Sequence, residues 1–422
     1  MSTDAEIVAP GIGLPGGDEA DESLSVWQRA LGNVKSGNLG VLPVVIGEIL
    51  IVAFFSFTAT NFFTASNFVN VILQMAGVTM IAFGVVFVLL IAEIDLSIGF
   101  LSGIAALTAA ELQLPDGRNY PGWLCILIAL GVVAIIGAGQ GAFVAKVGVP
   151  SFVVTLGGLM SFRGAAFLVA DGKTQPVTDP VFLALGGGLD GALGPTLSWA
   201  LGAVLAALLV WNTLARRRSR HAHGFPLRPA WLDAALAIGF ALLVFLFVAA
   251  MCAYQLPGKT HAQGIPVPVV IWGAVVMTMA FIVRRTRFGR YVYAIGGNPE
   301  AALLVGIPVK RVTLQLFLLL AVLVTVAAVV SVARLNAGTN SLGSSMELYV
   351  IAAAVIGGVA LAGGSGSVLG SVLGALIIQF LESCLLLMDV SIGKRMVIIG
   401  QVLIVAVVFD VLYRRWSGER IA

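Results

Sequence analysis

The chain has 422 residues, of which 59% are apolar and only 11% charged, with a formal net charge of +3. So little charge excludes a nucleic-acid-binding surface, and so much apolar sequence excludes an ordinary water-soluble domain; the composition is that of a polytopic membrane protein. Three isolated cysteines, Cys125, Cys252 and Cys384, and three loop histidines, His221, His223 and His261, give no spacing for a metal site or a disulfide framework.

Residues 1–40 are Gly-rich and acidic (Asp4, Glu6, Asp18, Glu19, Asp21, Glu22) and show no basic n-region, apolar h-region or cleavage site, so they read as a disordered cytoplasmic tail. From residue 41 the pattern changes to long uncharged runs, each able to supply the roughly 20 helical residues that a bilayer core demands. Segmentation predicts twelve helices, near 41–58, 68–91, 97–111, 122–145, 150–169, 197–213, 231–255, 267–283, 312–333, 348–363, 366–386 and 396–413. Two of these read equally well as half-helices, so the expected fold is all-α with ten to twelve transmembrane helices, some discontinuous. Residues 41–415 form the membrane domain and 416–422 a short tail.

Placing the N-terminus in the cytoplasm puts seventeen of the 24 Lys and Arg residues on the inner side and six outside, with Arg163 inside a span. The positive-inside bias therefore places both termini in the cytoplasm. On this topology 170–196 is a turn-rich outer loop, and 334–348, with Asn336, Asn340 and Glu347, is a second polar outer loop. The latter reads as a gate, as a contact for an external protein, or as plain solvated loop.

Glu93 and Asp95, in "IAEIDLSIG", interrupt very apolar sequence between two predicted helices. Asp95 or Ser97 suits the cap of the following helix, and Glu93 and Asp95 also suit the lining of an aqueous pathway, because irregular backbone and charge at membrane depth survive where they face a cavity. The Gly-punctuated starts at 96–107 and 366–376 resemble each other and suggest paired breaks in two halves of the chain. Arg163 is expected to snorkel toward the outer loop or to pair with a carboxylate. Glu48 and Glu382 are further acids within predicted spans, expected at helix or dimer interfaces.

The cytoplasmic segment 284–311 contains a short helix with complete punctuation: Asn298 as cap, Pro299 at the first position, Glu300 at the positive end of the dipole, then Gly306 and Pro308 as terminators. Flanked by basic residues between two spans, it reads as a docking element for a soluble partner or as an ordinary solvated loop.

The stretches "AEIDLSIG", "VPSFVVTLGGLMSFRGAAFLVADG", "FGRYVYAIGGNPEAALLVGIPVKRV" and "AAAVIGGVALAGGSGSVLGSVLGALI" occur in that order and resemble the membrane permease subunits of bacterial ABC importers for ribose, galactose and xylose. Glu93 before "IDLS" and the extra helix pair around 197–255 point to the D-xylose type within that group. The resemblance implies a permease homodimer in the bacterial inner membrane, a cytoplasmic ABC ATPase that uses ATP and Mg, and a periplasmic sugar-binding protein. It also implies that Gly297, Asn298, Pro299, Glu300, Ala301 and Ala302 form the coupling helix to the ATPase. From the residues alone, the chain binds no cofactor of its own: none of its three Gly-Lys pairs, 172–173, 258–259 and 393–394, completes a GxxxxGK[ST] phosphate loop. The absence of HExxH, of GxSxG and of a histidine within any predicted span argues against an intramembrane enzyme. Two alternatives remain open, an ion-coupled transporter using Glu93 and Asp95, and a permease of the same superfamily for branched-chain amino acids.

Overall fold

The computed structural model describes residues 42–115, 118–188, 191–225, 227, 229–255 and 262–416. The acidic segment 1–40, the last residues 417–422, Arg228, Lys259 and His261 lie outside the described residues, as does the side chain of Asp410.

The elements in chain order are helices α1 (Leu42–Thr58), α2 (Ala65–Leu90), α3 (Ile98–Leu112), α4 (Gly122–Ala142, continued by a π-helical turn Phe143–Val147) and α5 (Ser151–Ala170). A short strand β1 (Gln175–Pro176) and helix α6 (Pro180–Leu185) precede α7 (Gly194–Ala222), α8 (Ala230–Cys252) and α9 (Val267–Arg285). There follow α10 (Arg287–Gly297), α11 (Pro299–Leu304), α12 (Val309–Leu335), strand β2 (Ala337–Gly338), α13 (Met346–Ile356), α14 (Gly370–Leu387) and α15 (Ile392–Trp416). Among the described residues, eight helices are long and apolar enough to cross a membrane alone, and three shorter apolar ones accompany them.

From Met75 to Leu90 helix α2 is apolar on every face but for Thr79, which suits a central position. It is buried along almost its whole length against α12, α13, α14 and α9. Thr64 caps it by accepting the Asn67 N–H at 3.2 Å, and the Asn67 amide in turn donates to the Phe62 carbonyl at 2.9 Å. Lipid is as apolar as Leu, so close backbone approach has to hold such helices together. At Gly137 of α4 a side chain would meet Ala321 and the Phe317 carbonyl of α12, so only glycine allows that crossing.

Helices α7 and α8 pack chiefly on each other and expose most of their length, as a lipid-facing hairpin does. With 29 residues at about 1.5 Å each, α7 outruns a core of roughly 30 Å. The helix expected to end at 213 therefore continues through Arg216, Arg217, Arg218 and Arg220, which stand beyond the apolar layer as helix rather than as loop.

Three breaks interrupt the bundle, at 91–97, 336–345 and 357–369. The helix expected over 348–363 stops at Ile356, because Gly358, Gly363 and Gly364 adopt positive φ that ends an α-helix. At about 22 Å and 16 Å respectively, α3 and α13 are too short to span the core, so both are half-helices.

Candidate functional site

The 336–345 segment, read from sequence as an outer polar loop with gate, contact and solvated loop all open, folds inward along α3. Gly338 packs on Ala110, Leu342 on Gly103, and Gly343 on Gly99, so the chain descends beside α3 from its outer end to its start. There α13 begins, and the N-termini of two half-helices running in opposite directions meet. At Gly99 any side chain would overlap the Gly343 carbonyl and the Glu347 carboxylate. The segments that meet are thus α3 and α13, whereas sequence similarity had paired 96–107 with 366–376, the start of α14.

Glu347 is only 9% exposed, which corrects its expected place on the outer surface. Its carboxylate occupies the first turn of α13 beside the start of α3, and its Oε2 is buried there without a hydrogen-bond partner. Asn336 stays at the outer end: it closes α12 in a left-handed conformation, and its carbonyl accepts the Val177 N–H at 2.9 Å. Asn340 is half-buried within the descending segment. Outside, β1 pairs antiparallel with β2, Gln175 opposite Gly338 and Pro176 opposite Ala337. Gln113 clamps this strap, donating to the Pro176 carbonyl at 2.7 Å and accepting from the Thr178 and Asp179 amides at 3.2 and 3.1 Å. Nearby, Lys173 forms a 2.7 Å ion pair that holds the Asp171 carboxyl below the usual carboxylate range.

At the inner break, Asp95 is 2% exposed and accepts both the N–H and the hydroxyl of Ser97, at 2.8 and 2.7 Å. Ser97 Oγ accepts from Gln140 Nε2 of α4 at 2.9 Å. Ile94 is tied to α5 at both backbone groups: its N–H donates to Ser151 Oγ at 3.1 Å and its carbonyl accepts from Thr155 Oγ1 at 3.3 Å. Neither Asp95 nor Ser97 caps α3 as expected, because Ser97 at the cap position makes no side-chain bond into the helix and the Asp95 oxygen is committed to Ser97 itself. The break is instead stitched across α4 and α5, which satisfies backbone groups that lipid would leave bare. Glu93 is half-buried next to Ala92, whose φ of 60° is rare for a residue with a side chain.

Arg163, on an exposed face of α5, places its guanidinium 5.6 Å from the Phe100 ring centroid of α3. The guanidinium thus makes a cation–π contact across the two helices, in place of the ion pair considered from the sequence.

The segment 284–311 has the expected punctuation. Asn298 Oδ1 accepts the Ala301 N–H at 2.9 Å, Pro299 and Glu300 open α11, and Gly306 follows it at a φ of 83°. Ala302 is buried, while Leu303, Leu304 and Val305 are 61%, 87% and 77% exposed and form an apolar tip on the inner face. The preceding helix α10 carries this tip back to the inner break. The Gly296 backbone lies against the Leu90 carbonyl, which accepts the Gly364 N–H at 2.8 Å, and Tyr293 Oη donates to the Gly366 carbonyl at 2.8 Å. The end of α10, the end of α2 and the loop before α14 therefore form one backbone junction.

Of the site residues named from sequence, Gly297 to Ala302 lie at the exposed tip, Glu93, Asp95 and Ser97 at the inner break and Glu347 where α3 meets α13, while Arg163 stands on α5, Asn336 closes α12 and Asn340 lies in the descending segment. Sequence reading missed Gln113, Gln140, Ser151 and Thr155, which hold these places together. All are uncharged, and a search for charge in apolar runs passes over amides and hydroxyls. Among the described residues no cluster of His, Cys, Asp or Glu could hold a metal ion, and the three cysteines are unpaired.

Long crossing helices, half-helices meeting end to end and an exposed apolar tip joined to an intramembrane break define a multi-pass membrane permease. The chain belongs to the family described as branched-chain amino acid transport system / permease component, whose model matches residues 67–407. It is 37% identical over 379 residues to the xylose transport system permease protein XylH of Haemophilus influenzae, covering 89% of this chain and 97% of that one. With XylH of Escherichia coli K12 it shares 36% over 386 residues, or 91% and 95% of the two chains. With the ribose import permease protein RbsC of Haemophilus influenzae it shares 30% over 365 residues, covering 86% and 91%. No solved structure matches it significantly.

Proposed function

We propose that this chain is the membrane subunit of an ATP-driven importer, forming the path for D-xylose or a chemically similar pentose in a bacterial inner membrane. The observation that carries the reading is the near full-length similarity to xylose permeases, at 36–37% identity against 29–30% for ribose permeases. In this reading two copies pair in the membrane, a soluble ATPase binds ATP and Mg, and a periplasmic binding protein delivers the sugar. The Leu303-Leu304-Val305 tip with Gly297, Asn298, Pro299, Glu300, Ala301 and Ala302 fits a groove on the ATPase, an exposed apolar patch on a solvated face being a mark of protein docking. Closure of the ATPases moves α11 and α10, and the junction at Leu90 passes that movement to the inner break and to the loop before α14.

The asparagine cap and the two-turn length make α11 a stiff lever, and the hydrogen bonds around Ile94, Asp95 and Ser97 move the break as one body with α4 and α5. A sugar is uncharged, so the pathway needs few polar contacts, weak enough to release it. The test is uptake into proteoliposomes by the permease assembled with its ATPase and binding protein. ATP-dependent accumulation of D-xylose supports the reading. Accumulation driven by an imposed proton or sodium gradient without ATP overturns it in favour of ion coupling through Glu93 and Asp95, and ATP-driven leucine uptake in place of sugar overturns the substrate.

A further inference from the structure

The outer half of the protomer contains a polar cavity of about 200 Å³ between α2, α12, the start of α13 and α14, separate from the inner break. Its polar walls come from Gln74, Ser331, Arg334, Tyr349, Gln379 and Glu382, and exposed Ser344 stands at its rim. Pockets for drug-sized ligands run to roughly 300–1,000 Å³. This one suits a smaller molecule, the size of a single sugar ring.

Its hydrogen-bonding groups are arranged for a ligand that both donates and accepts. Arg334 brings up to five N–H donors and Glu382 is an acceptor that also faces Arg395 and the Gln379 amide; Glu382 is within electrostatic range of Arg334, yet the two do not close on each other as an ion pair. Gln379, 2% exposed, donates to Gln74 at 2.7 Å, which aligns the two amides and leaves Gln379 Oε1 and Gln74 Nε2 for another partner. The Ser331 hydroxyl proton goes to the Ala327 carbonyl at 2.8 Å, so its oxygen is left to accept. Ionisable groups inside a membrane protein persist where they line a substrate or water path, and opposed charges held apart need something polar between them. A zwitterion would satisfy Arg334 and Glu382 but would leave the amide pair and hydroxyls without a role; a polyol uses all of them.

The geometry points to a monosaccharide-binding subsite within each protomer, in which the ring hydroxyls bridge Arg334 to Glu382 and engage the Gln74–Gln379 pair. This rests on the importer reading and adds to it a place where sugar pauses on the outer side. Glu382→Gln keeps the shape of the site and removes its anionic acceptor; Ser344→Trp closes the mouth from an exposed position and so spares the packing beneath. In proteoliposomes holding the complete assembly, both should lower ATP-driven D-xylose uptake at least about tenfold, the worth of one hydrogen bond to a charged group, with sugar-free ATP hydrolysis within about twofold of wild type. Saturation-transfer NMR of D-xylose with the purified permease should give a saturable signal that both variants lose. Wild-type uptake in either variant, or displacement of the sugar signal by leucine, overturns the subsite. If the wild-type assembly imports no sugar, the importer reading fails instead, and the NMR titration alone decides whether the cavity holds sugar.

Discussion

Gly296 and Gly297 are adjacent glycines in the same helix end, and their surroundings are opposite. A methyl group at 296 would overlap the Leu90 carbonyl and crowd the Gly364 backbone, whereas one at 297 meets nothing within 4 Å. Overpacking of this kind costs about 1–3 kcal/mol, and a shifted Leu90 carbonyl loses its bond from the Gly364 N–H, worth roughly 0.5–1.5 kcal/mol. Alanine's helical preference returns at most about 1 kcal/mol. Gly296→Ala should therefore be destabilised by about 1–3 kcal/mol, while Gly297→Ala should be neutral or slightly stabilised. Because the overlap lies at the junction joining α10 to the inner break, uptake should suffer as well: each 1.4 kcal/mol of bias against the productive arrangement is about tenfold in its population. The measurements are thermal unfolding in detergent and ATP-driven uptake in proteoliposomes, with ATP hydrolysis followed in parallel. Gly296→Ala should melt lower and import at least several-fold more slowly, with ATP hydrolysis continuing. Equal melting and equal transport for the two variants would refute the claim that this backbone junction carries movement from the cytoplasmic tip.

Three further predictions concern the neighbouring sites. Asp95→Asn keeps an acceptor for the Ser97 N–H and hydroxyl and should retain uptake, whereas Asp95→Ala leaves that buried N–H bare at a cost of about 1–3 kcal/mol and should lower the melting temperature. Loss of uptake in Asp95→Asn with normal stability would show that the charge itself is used and would favour ion coupling. Asn298→Ala removes the cap of a two-turn helix at a cost of about 1 kcal/mol and should raise the ATP hydrolysed per sugar imported, with Asn298→Asp close to wild type; equal coupling ratios in all three would count against the lever. Gln113→Ala unclamps the outer strap and should raise amide exchange at Thr178 and Asp179, a change that mass spectrometry of exchanged peptides can detect, with exchange at the inner break unchanged.

The membrane class, most helix positions and the punctuation of α11 were legible in the sequence because each depends on local chemistry. Long uncharged runs insert wherever they occur, and Asn298, Pro299 and Gly306 act on their own backbone within one turn. The residues that form the site were legible where they carried charge or stood at a helix cap position, as Ser97 and Asn298 do, and not where they bond across helices. Glu347 looked like part of an outer loop because its neighbours, "NSLGSSMEL", are polar and small, but small residues also let a chain descend against α3. Whether such a segment faces water or folds inward depends on Gly99 and Gly103, more than 230 residues away in the chain. The pairing of α3 with α13, the Leu90–Gly296–Gly364 junction and the cavity between Arg334 and Glu382 likewise belong to no single stretch. Period and composition are sums over neighbours along the chain, whereas a crossing that tolerates no Cβ and a cavity that sets two charges apart are relations between distant segments, which exist only once the helices have packed.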